Sequence, residues 1–177
     1  FLMQVSKTPI EGLLIIEPKV FEDPRGMFYE VYSESRYQAH GISSRFVQDN
    51  HSVSKKGVLR GLHYQVKSGQ DKLVRVTQGE IFDVAVDIRK ESASYGKWWG
   101  LSLSEANSLQ LYIPVGFAHG FCVLSESAEV LYKCSDYYSP ENEAGILWND
   151  PDLAIDWPAK DPILSEKDAA YPRFKAL

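Results

Sequence analysis

Short runs of alternating apolar and polar residues dominate this chain of 177 residues. In the run 81–88, four apolar residues share one face, while Asp83 and Asp87 share the other, as in a β-strand. The run 73–77 precedes it across Gln78-Gly79-Glu80, and this pattern predicts a hairpin turn between the two strands. Further strands are predicted at 13–17, 28–32, 46–53, 58–65, 97–103, 109–113, 119–124 and 128–135.

Many short strands at fairly regular spacing are typical of an antiparallel sandwich or barrel, and they predict an all-β jelly roll. Helices are predicted only at 33–40, closed by Gly41, and at 165–170, each with a serine as its N-cap. The tail from Asn149 is rich in Pro, Asp and Trp, and we expect it to wrap the barrel as ordered coil. No repeat or linker interrupts the pattern, so one domain over residues 1–177 is expected.

Composition narrows the class of partner. The formal net charge is −5, which argues against a broad surface for nucleic acid or membrane, so an anionic ligand would need locally placed positive charge. No apolar run approaches the length of a membrane span. Cys122 and Cys134 lie in apolar runs, and we expect two buried thiols in a cytoplasmic protein. We interpret Met3 as the initiator, with Phe1 and Leu2 as a remnant too short for a signal peptide.

Two inward-facing polar residues break the apolar pattern of the predicted strands. Tyr132 shares a face with Val130 and Cys134, and Lys72 shares a face with Val74. Polar residues on an inward face line a site unless a structural role explains them. The structural alternatives are a core tyrosine bonded to a carbonyl and a lysine that extends to solvent from a strand end.

Two histidines stand in strand-like surroundings, His63 and His119. A histidine titrates near neutrality and can transfer a proton or bind a metal, although His119 taken alone is more often structural. Arg60 lies three residues before His63, where it would suit a bound phosphate. A regular strand would send Arg60 and His63 to opposite faces, so a bulge at Gly61 is needed to bring them together.

These residue types suit proton transfer at a carbon beside a ketone. That reaction needs a base near neutral pKa, positive charge at the enolate oxygen and an acid that returns the proton. His63 would be the base, Lys72 would stabilise the enolate and Tyr132 would be the acid on the opposite face, which gives net inversion. Asp168 would orient the His63 ring, although the sequence pattern itself does not pair two residues so far apart.

Several longer segments carry a resemblance to a known family. They include Phe21-Glu22-Asp23-Pro24-Arg25-Gly26, Leu59-Arg60-Gly61-Leu62-His63-Tyr64-Gln65, Pro114-Val115-Gly116-Phe117-Ala118-His119-Gly120-Phe121 and Leu164-Ser165-Glu166-Lys167-Asp168. With further matches between them, the chain resembles the dTDP-4-dehydrorhamnose 3,5-epimerases, dTDP-sugar epimerases of the cupin superfamily. The resemblance is specific because it runs nearly end to end.

The resemblance implies a cupin-type jelly roll that forms a homodimer and uses no metal or other cofactor. It implies 3,5-epimerisation of dTDP-4-dehydro-6-deoxy-D-glucose to dTDP-4-dehydro-L-rhamnose, in the biosynthesis of dTDP-L-rhamnose in the cytoplasm. His63 would be the base with Asp168 as its partner, Tyr132 the acid, and Lys72 would lie against the C4 oxygen. The implied substrate-binding residues are Arg25 and Glu30 (both from the partner chain), Arg60 (diphosphate), Tyr138 (stacked on thymine), Gln48, Asn50, His119, Glu143 and Lys167.

Three alternatives remain open on the sequence. A mono-epimerase would invert C3 or C5 alone in another dTDP-4-keto-sugar pathway. A metal-dependent cupin normally offers a His-x-His pair, but Gln65 stands where the second histidine would be, and three or more ligands are usual. A carbohydrate-binding jelly roll would explain the aromatic residues but not a base, an acid and a lysine together.

Overall fold

The computed structural model describes residues 3–177 except for the side chain of Ala176, so the interpretation of Phe1 and Leu2 lies outside the described residues. The helices are α1 (Glu34–Ala39) and α2 (Glu166–Ala169), with 3-10 turns at Pro140–Asn142 and Phe174–Ala176. The strands are β1 (Met3–Lys7), β2 (Leu14–Pro18), β3 (Phe21–Asp23), β4 (Gly26–Phe28), β5 (Gln48–Lys55), β6 (Leu59–Gln65), β7 (Lys72–Gln78), β8 (Glu80–Asp87), β9 (Trp98–Ser104), β10 (Gln110–Ile113), β11 (Phe117–Val123), β12 (Ser127–Cys134) and β13 (Glu143–Gly145).

Two antiparallel sheets face each other. One has six strands in the order β1-β2-β10-β7-β12-β5, and the other has five in the order β13-β6-β11-β8-β9. Alternating apolar side chains from both sheets, such as Val74 and Val130 from the first and Ile81 and Phe121 from the second, form the core between them. The prediction of an all-β antiparallel fold is confirmed. No helix among residues 3–177 has the length and apolarity needed to span a bilayer.

Two of the predictions about strands are wrong. The strand predicted at 28–32 does not form. The observed strand β4 ends at Phe28 and pairs with β3 in a short exposed hairpin, whereas the Tyr32 ring packs against Phe46. The turn at 78–80 does not form a hairpin, because β7 and β8 belong to different sheets. Gly79, at a φ of +77°, turns the chain from one sheet to the other. β1, β3 and the three-residue β13 were not predicted.

The two faces of β8 separate as the alternation predicts. Asp83 and Asp87 are fully buried on the face that points into the barrel. On the opposite face, Val84 and Val86 pack beneath the C-terminal tail, against residues that include Trp157. The indole of Trp157 donates a hydrogen bond to the carbonyl of Trp148 at 2.8 Å, so the tail lies on the barrel as ordered coil, as predicted.

A serine cap sets the start of the short tail helix. The Ser165 hydroxyl accepts a hydrogen bond from the backbone N–H of Asp168 at 3.0 Å, as the sequence predicts for an N-cap. Ser33 occupies the corresponding position before α1, but its side chain makes no capping hydrogen bond, so that part of the prediction is wrong. The cap on α2 fixes the backbone from which the Asp168 side chain leaves.

An irregularity at Gly61 brings Arg60 and His63 to the same side of β6. His63 pairs with His119 and Arg60 pairs with Phe121, so β6 contains one residue more than β11 between these pairs. Because alternate residues of β11 share a face, their partners do too. Gly61 has a φ of +131°, and a Cβ there would lie 2.5 Å from the Cα of Gly120. The predicted bulge is confirmed.

We expect Gly61→Ala to destabilise the fold by roughly 2–4 kcal/mol, because it adds a steric clash with β11 to an unfavourable positive φ. Gly57→Ala is the matched control, since Gly57 has a φ of +79° with nothing within 4 Å of its Cβ position. The control carries only the conformational cost of about 1–2 kcal/mol. Chemical denaturation measures both variants, and equal losses would mean that β11 yields to the added methyl group.

Candidate active site

A histidine and a carboxylate from distant parts of the chain meet beside β6 of the five-stranded sheet. His63 Nε2 lies 2.7 Å from Asp168 Oδ1, and the N–H of Gly61 donates to the other carboxylate oxygen at 3.3 Å. Burial would raise the pKa of Asp168, but the hydrogen bond and charge of His63 and the Gly61 N–H leave it below its usual value. An ionised Asp168 accepts the Nε2 hydrogen, so Nδ1 is the basic nitrogen of neutral His63.

A second such pair lies deeper in the barrel. His119 Nε2 lies 2.9 Å from Asp83 Oδ2, and the two side chains are 6% and 0% exposed, against 31% for His63. Burial lowers the pKa of His119, although the Asp83 carboxylate opposes this, and the shift favours the neutral form of the ring. His119 is the cross-strand partner of His63, and its ring centroid lies 6.4 Å from that of Tyr132.

The six-stranded sheet supplies a lysine and a tyrosine. Lys72 is buried at the start of β7, directly opposite Cys134 of β12, so it does not extend to solvent as the structural alternative supposed. Burial lowers the pKa of Lys72, while Cys134, Asp83 and Glu143 oppose the shift. Burial raises the pKa of Tyr132, which keeps its phenol protonated at neutral pH.

These groups surround a small cleft of about 70 Å³ between the sheets. Its lining includes His63, Lys72 and Tyr132, which the sequence pattern predicted as site residues. Asn50, Tyr138 and Glu143 also line it. Asp168 and His119 stand behind this wall. Three further lining residues, Tyr64, Gln65 and Gln70, were not predicted from the sequence. Gln65 carried a usable signal, because it is two residues from His63 on the same strand face.

Hydrogen bonds connect the residues at the mouth of the cleft. The Tyr138 hydroxyl donates to Glu143 Oε2 at 2.5 Å, and Lys167 pairs with the same carboxylate oxygen. The backbone N–H of Tyr138 donates to Gln48 Oε1 at 2.9 Å, and the Gln48 amide donates to Asn50 Oδ1 at 3.0 Å. These five candidate binding residues therefore form one continuous polar network.

Besides Lys167 and Asp168, three more charged candidate residues lie outside the cleft lining. Arg60 is exposed, donates to the Ser54 hydroxyl at 3.0 Å and acts electrostatically on Tyr132, so it lies beside the cleft. Arg25 has a side chain 90% exposed on the β3–β4 hairpin, where it pairs with Asp23. Glu30 pairs with Arg36 at 2.6 Å. Within one chain, Arg25 and Glu30 are thus held by local ion pairs and not by residues of the cleft.

Each histidine near the cleft has one carboxylate partner, Asp168 for His63 and Asp83 for His119. Among the described residues of the range 3–177, no group of three or more His, Cys, Asp or Glu side chains is arranged to hold a metal ion. Cys122 and Cys134 are both buried free thiols.

Comparison with known proteins assigns this arrangement to a family. The family model described as dTDP-4-dehydrorhamnose 3,5-epimerase matches residues 7–176. The chain belongs to the dTDP-4-dehydrorhamnose 3,5-epimerase family. The resemblance noted from the sequence is therefore confirmed.

Relatives within the family share nearly the whole chain. The dTDP-4-dehydrorhamnose 3,5-epimerase of Pseudomonas aeruginosa is 55% identical over 174 residues, which cover 97% of this chain and 96% of that protein. The dTDP-6-deoxy-D-glucose-3,5-epimerase of Legionella pneumophila, solved in complex with dTDP-4-keto-L-rhamnose, superposes with a TM-score of 0.96. It is 54% identical, and the match covers 99% of this chain and 94% of that one. The predicted cupin-type fold is confirmed by these structural relatives.

The family also contains a protein named for inversion at a single carbon. The dTDP-4-dehydrorhamnose 3-epimerase of Streptomyces niveus is 42% identical over 168 residues, covering 94% of this chain and 81% of that protein. Similarity to these proteins therefore does not by itself determine whether this chain inverts one carbon or two.

Proposed function

We propose that this protein catalyses the 3,5-epimerisation of dTDP-4-dehydro-6-deoxy-D-glucose to dTDP-4-dehydro-L-rhamnose, in dTDP-L-rhamnose biosynthesis. The observation that carries the proposal is a cleft in which a carboxylate-held histidine, a buried lysine and a protonated phenol line the same space. The family to which the chain belongs and the identity of 55% to a 3,5-epimerase support the choice of substrate. The 3,5-epimerase is favoured over the mono-epimerase, because the relative named a 3-epimerase is less similar, at 42% identity.

His63 acts as the base. Its Nδ1 removes the hydrogen from C3, while the ionised Asp168 on Nε2 stabilises the imidazolium that forms. The electrons move toward the C4 oxygen, where Lys72 stabilises the developing enolate in surroundings from which water is largely excluded. A general base raises the rate by roughly 10²- to 10⁴-fold, and one donor to the oxyanion raises it by roughly 10²- to 10³-fold. The two contributions are of similar size, so the mechanism depends on both His63 and Lys72.

Tyr132 acts as the acid. It lies on the six-stranded sheet, across the cleft from His63 on the five-stranded sheet, so a proton from its phenol reaches the carbon from the opposite face. The carbon is thereby inverted, and the ketone is restored. His63 then releases its proton to solvent and the Tyr132 phenolate takes one up from solvent, which restores both groups. Repetition at C5, which also neighbours the C4 ketone, gives the second inversion.

The polar network at the mouth of the cleft binds the nucleotide. A planar guanidinium suits a diphosphate, and Arg60 offers one beside Tyr132. The ring of Tyr138, which is 48% exposed, stacks on thymine, and Glu143 and Lys167 hold that ring in place. Gln48 and Asn50 extend the contacts at the mouth of the cleft, and His119 supports its inner end from behind the lining, with its ring centroid 6.4 Å from that of Tyr132.

The protein acts as a cytoplasmic homodimer in which each cleft is completed by the partner chain. The β3–β4 hairpin supports this proposal, because Phe21, Met27 and Phe28 on it are 44%, 58% and 74% exposed. Such apolar exposure beside an arginine is typical of a surface that contacts another chain. Arg25 and Glu30 would reach the substrate of the partner subunit.

Mixing two inactive variants tests this sharing. Arg25→Ala and His63→Ala subunits, exchanged after mixing, should regain activity, because the mixed dimer contains one cleft with both native residues. The matched control is a mixture of Asp168→Asn with His63→Ala, since these residues serve the same cleft of one chain and neither mixed cleft is intact. If subunits exchange and the first mixture regains no more activity than the control, Arg25 does not act across the dimer.

The reaction uses no metal or other cofactor. Proton transfer, enolate stabilisation and reprotonation are each assigned to a side chain of the cleft. Full activity after dialysis against a chelator is expected. Loss of activity that a divalent metal restores would favour the metal-dependent cupin instead.

Product stereochemistry tests the proposed function against its alternatives. The protein is incubated with dTDP-4-dehydro-6-deoxy-D-glucose, the ketone is reduced with borohydride, and the released sugars are identified by chromatography. Double inversion gives L-rhamnose and its C4 epimer. Sugars inverted only at C3, such as 6-deoxy-D-allose, would establish a mono-epimerase, and sugars with no inversion would contradict an epimerase altogether.

A further inference from the structure

Tyr171 follows α2 and lies against the histidine of the cleft. Its ring and the His63 imidazole meet edge to face, with centroids 5.7 Å apart and an interplanar angle of 67°. Asp168 contacts the same imidazole at Nε2. The tail therefore holds His63 in two ways, with a hydrogen bond in the plane of the ring and an aromatic contact against it.

The backbone of β13 makes room for the tyrosine ring. A Cβ added at Gly145 would lie 2.4 Å from the Tyr171 ring, so the ring lies directly on the backbone of Gly145. Gly145 is the cross-strand partner of His63. The residue after the tyrosine is anchored too, because the carbonyl of Pro172 accepts a hydrogen bond from the Leu147 N–H at 2.9 Å.

The hydroxyl group does not explain why a tyrosine occupies this position. The Tyr171 hydroxyl oxygen is buried and makes no hydrogen bond of acceptable geometry among the described residues, and the Lys167 ammonium near it is already paired with Glu143. A buried polar group without a partner costs about 1–3 kcal/mol. The ring is therefore the part of Tyr171 that contributes, through its contacts with His63 and Gly145.

We propose that Tyr171 is a positioning residue for the epimerisation, whose ring keeps the His63 imidazole aligned between Asp168 and the cleft. An edge-to-face aromatic contact favours one ring orientation. It thereby limits rotation of the imidazole about the single hydrogen bond to Asp168. Misplacement of a reacting group by about 1 Å costs up to roughly 10²-fold in rate, so alignment by a neighbouring ring affects turnover directly. The inference rests on the proposed role of His63 as the base.

Two variants at this position separate the ring from the hydroxyl. Tyr171→Leu keeps an apolar side chain but removes the ring, and we expect kcat to fall by roughly ten- to a hundredfold with KM within about twofold. Tyr171→Phe keeps the ring, and we expect kcat close to that of the unaltered protein with an equal or higher thermal midpoint, because an unpartnered hydroxyl is removed.

Phe174→Leu is the matched control in the same tail, since the ring of Phe174 packs against Tyr95 at 5.0 Å and not against His63. It is expected to lower stability without lowering kcat. The proposal is wrong if Tyr171→Leu retains full kcat, if Tyr171→Phe is as impaired as Tyr171→Leu, or if Phe174→Leu lowers kcat equally.

Nuclear magnetic resonance of the His63 ring provides a readout that does not depend on turnover. The imidazole N–H that Asp168 accepts should exchange with water slowly in the unaltered protein and in Tyr171→Phe, and faster in Tyr171→Leu. Equal exchange in all three would overturn the positioning role even if the epimerase activity is present. Absence of turnover by the unaltered protein would contradict the proposed function, while the exchange measurement would still test the packing of Tyr171 on His63.

Discussion

Replacing His63 by alanine is expected to lower kcat by roughly 10²- to 10⁴-fold, which is the range for a general base. The affinity for the dTDP-ketosugar should stay nearly unchanged, because the nucleotide and diphosphate are bound by other residues at the mouth of the cleft. Steady-state kinetics gives kcat, and calorimetric titration with the product gives affinity.

His40→Ala is the matched control, because His40 is exposed at the end of α1. It should leave kcat and affinity unchanged. If His63→Ala retains near-normal turnover, the base is another residue, and His119 with its Asp83 partner would be the first to examine.

Burial distinguishes the two histidine–carboxylate pairs. The His63 side chain is 31% exposed and lines the cleft, whereas that of His119 is 6% exposed and does not. A base must reach its substrate and also take up a proton. Burial lowers the pKa of His119 and disfavours its charged form, so it is better suited to donate or accept a hydrogen bond in its neutral form.

Tyr132→Phe is expected to abolish inversion while leaving proton removal in place. Product formation should fall by roughly 10²- to 10⁴-fold, the scale of a general acid, whereas exchange of the C3 hydrogen with solvent should fall by less than about tenfold. The reason is that His63 still removes the proton and, without the phenol, returns a solvent-derived one to the same face. Proton NMR of the substrate in heavy water follows both processes in one sample.

Tyr112→Phe is the control for this change. Tyr112 is also buried in the six-stranded sheet, but its hydroxyl bonds to Ser44 at 3.0 Å, outside the cleft. It should leave both exchange and product formation intact. If exchange disappears in Tyr132→Phe as completely as product does, then the tyrosine is not a separate acid.

Most strands could be predicted from the sequence, because each strand buries one face, so that apolar and polar residues alternate along it. The strand predicted at 28–32 failed because local alternation does not show which segment lacks a partner strand, and Tyr32 packs against other aromatic rings. The connection at 78–80 failed for a related reason. A glycine between two strands has the same sequence signal whether the strands pair or lie in opposite sheets.

The cleft was partly predictable for a physical reason. Lys72 and Tyr132 are polar residues on faces that are otherwise apolar, and such faces point inward. The pairing of Asp168 with His63 was not predictable from the pattern, because it depends on how the tail folds over the five-stranded sheet. Tyr171 gave no signal at all, since a tyrosine in a coil has no periodicity and its importance comes from the ring it contacts.

Deuterium incorporation tests the central claim most directly. The unaltered protein is mixed with dTDP-4-dehydro-6-deoxy-D-glucose in heavy water, and proton NMR follows the signals of C3–H and C5–H. Transfer of protons through His63 and Tyr132 predicts that both signals disappear as the inverted sugar forms and that neither disappears with His63→Ala. Formation of the inverted sugar with its original hydrogens still on C3 and C5 would contradict the account.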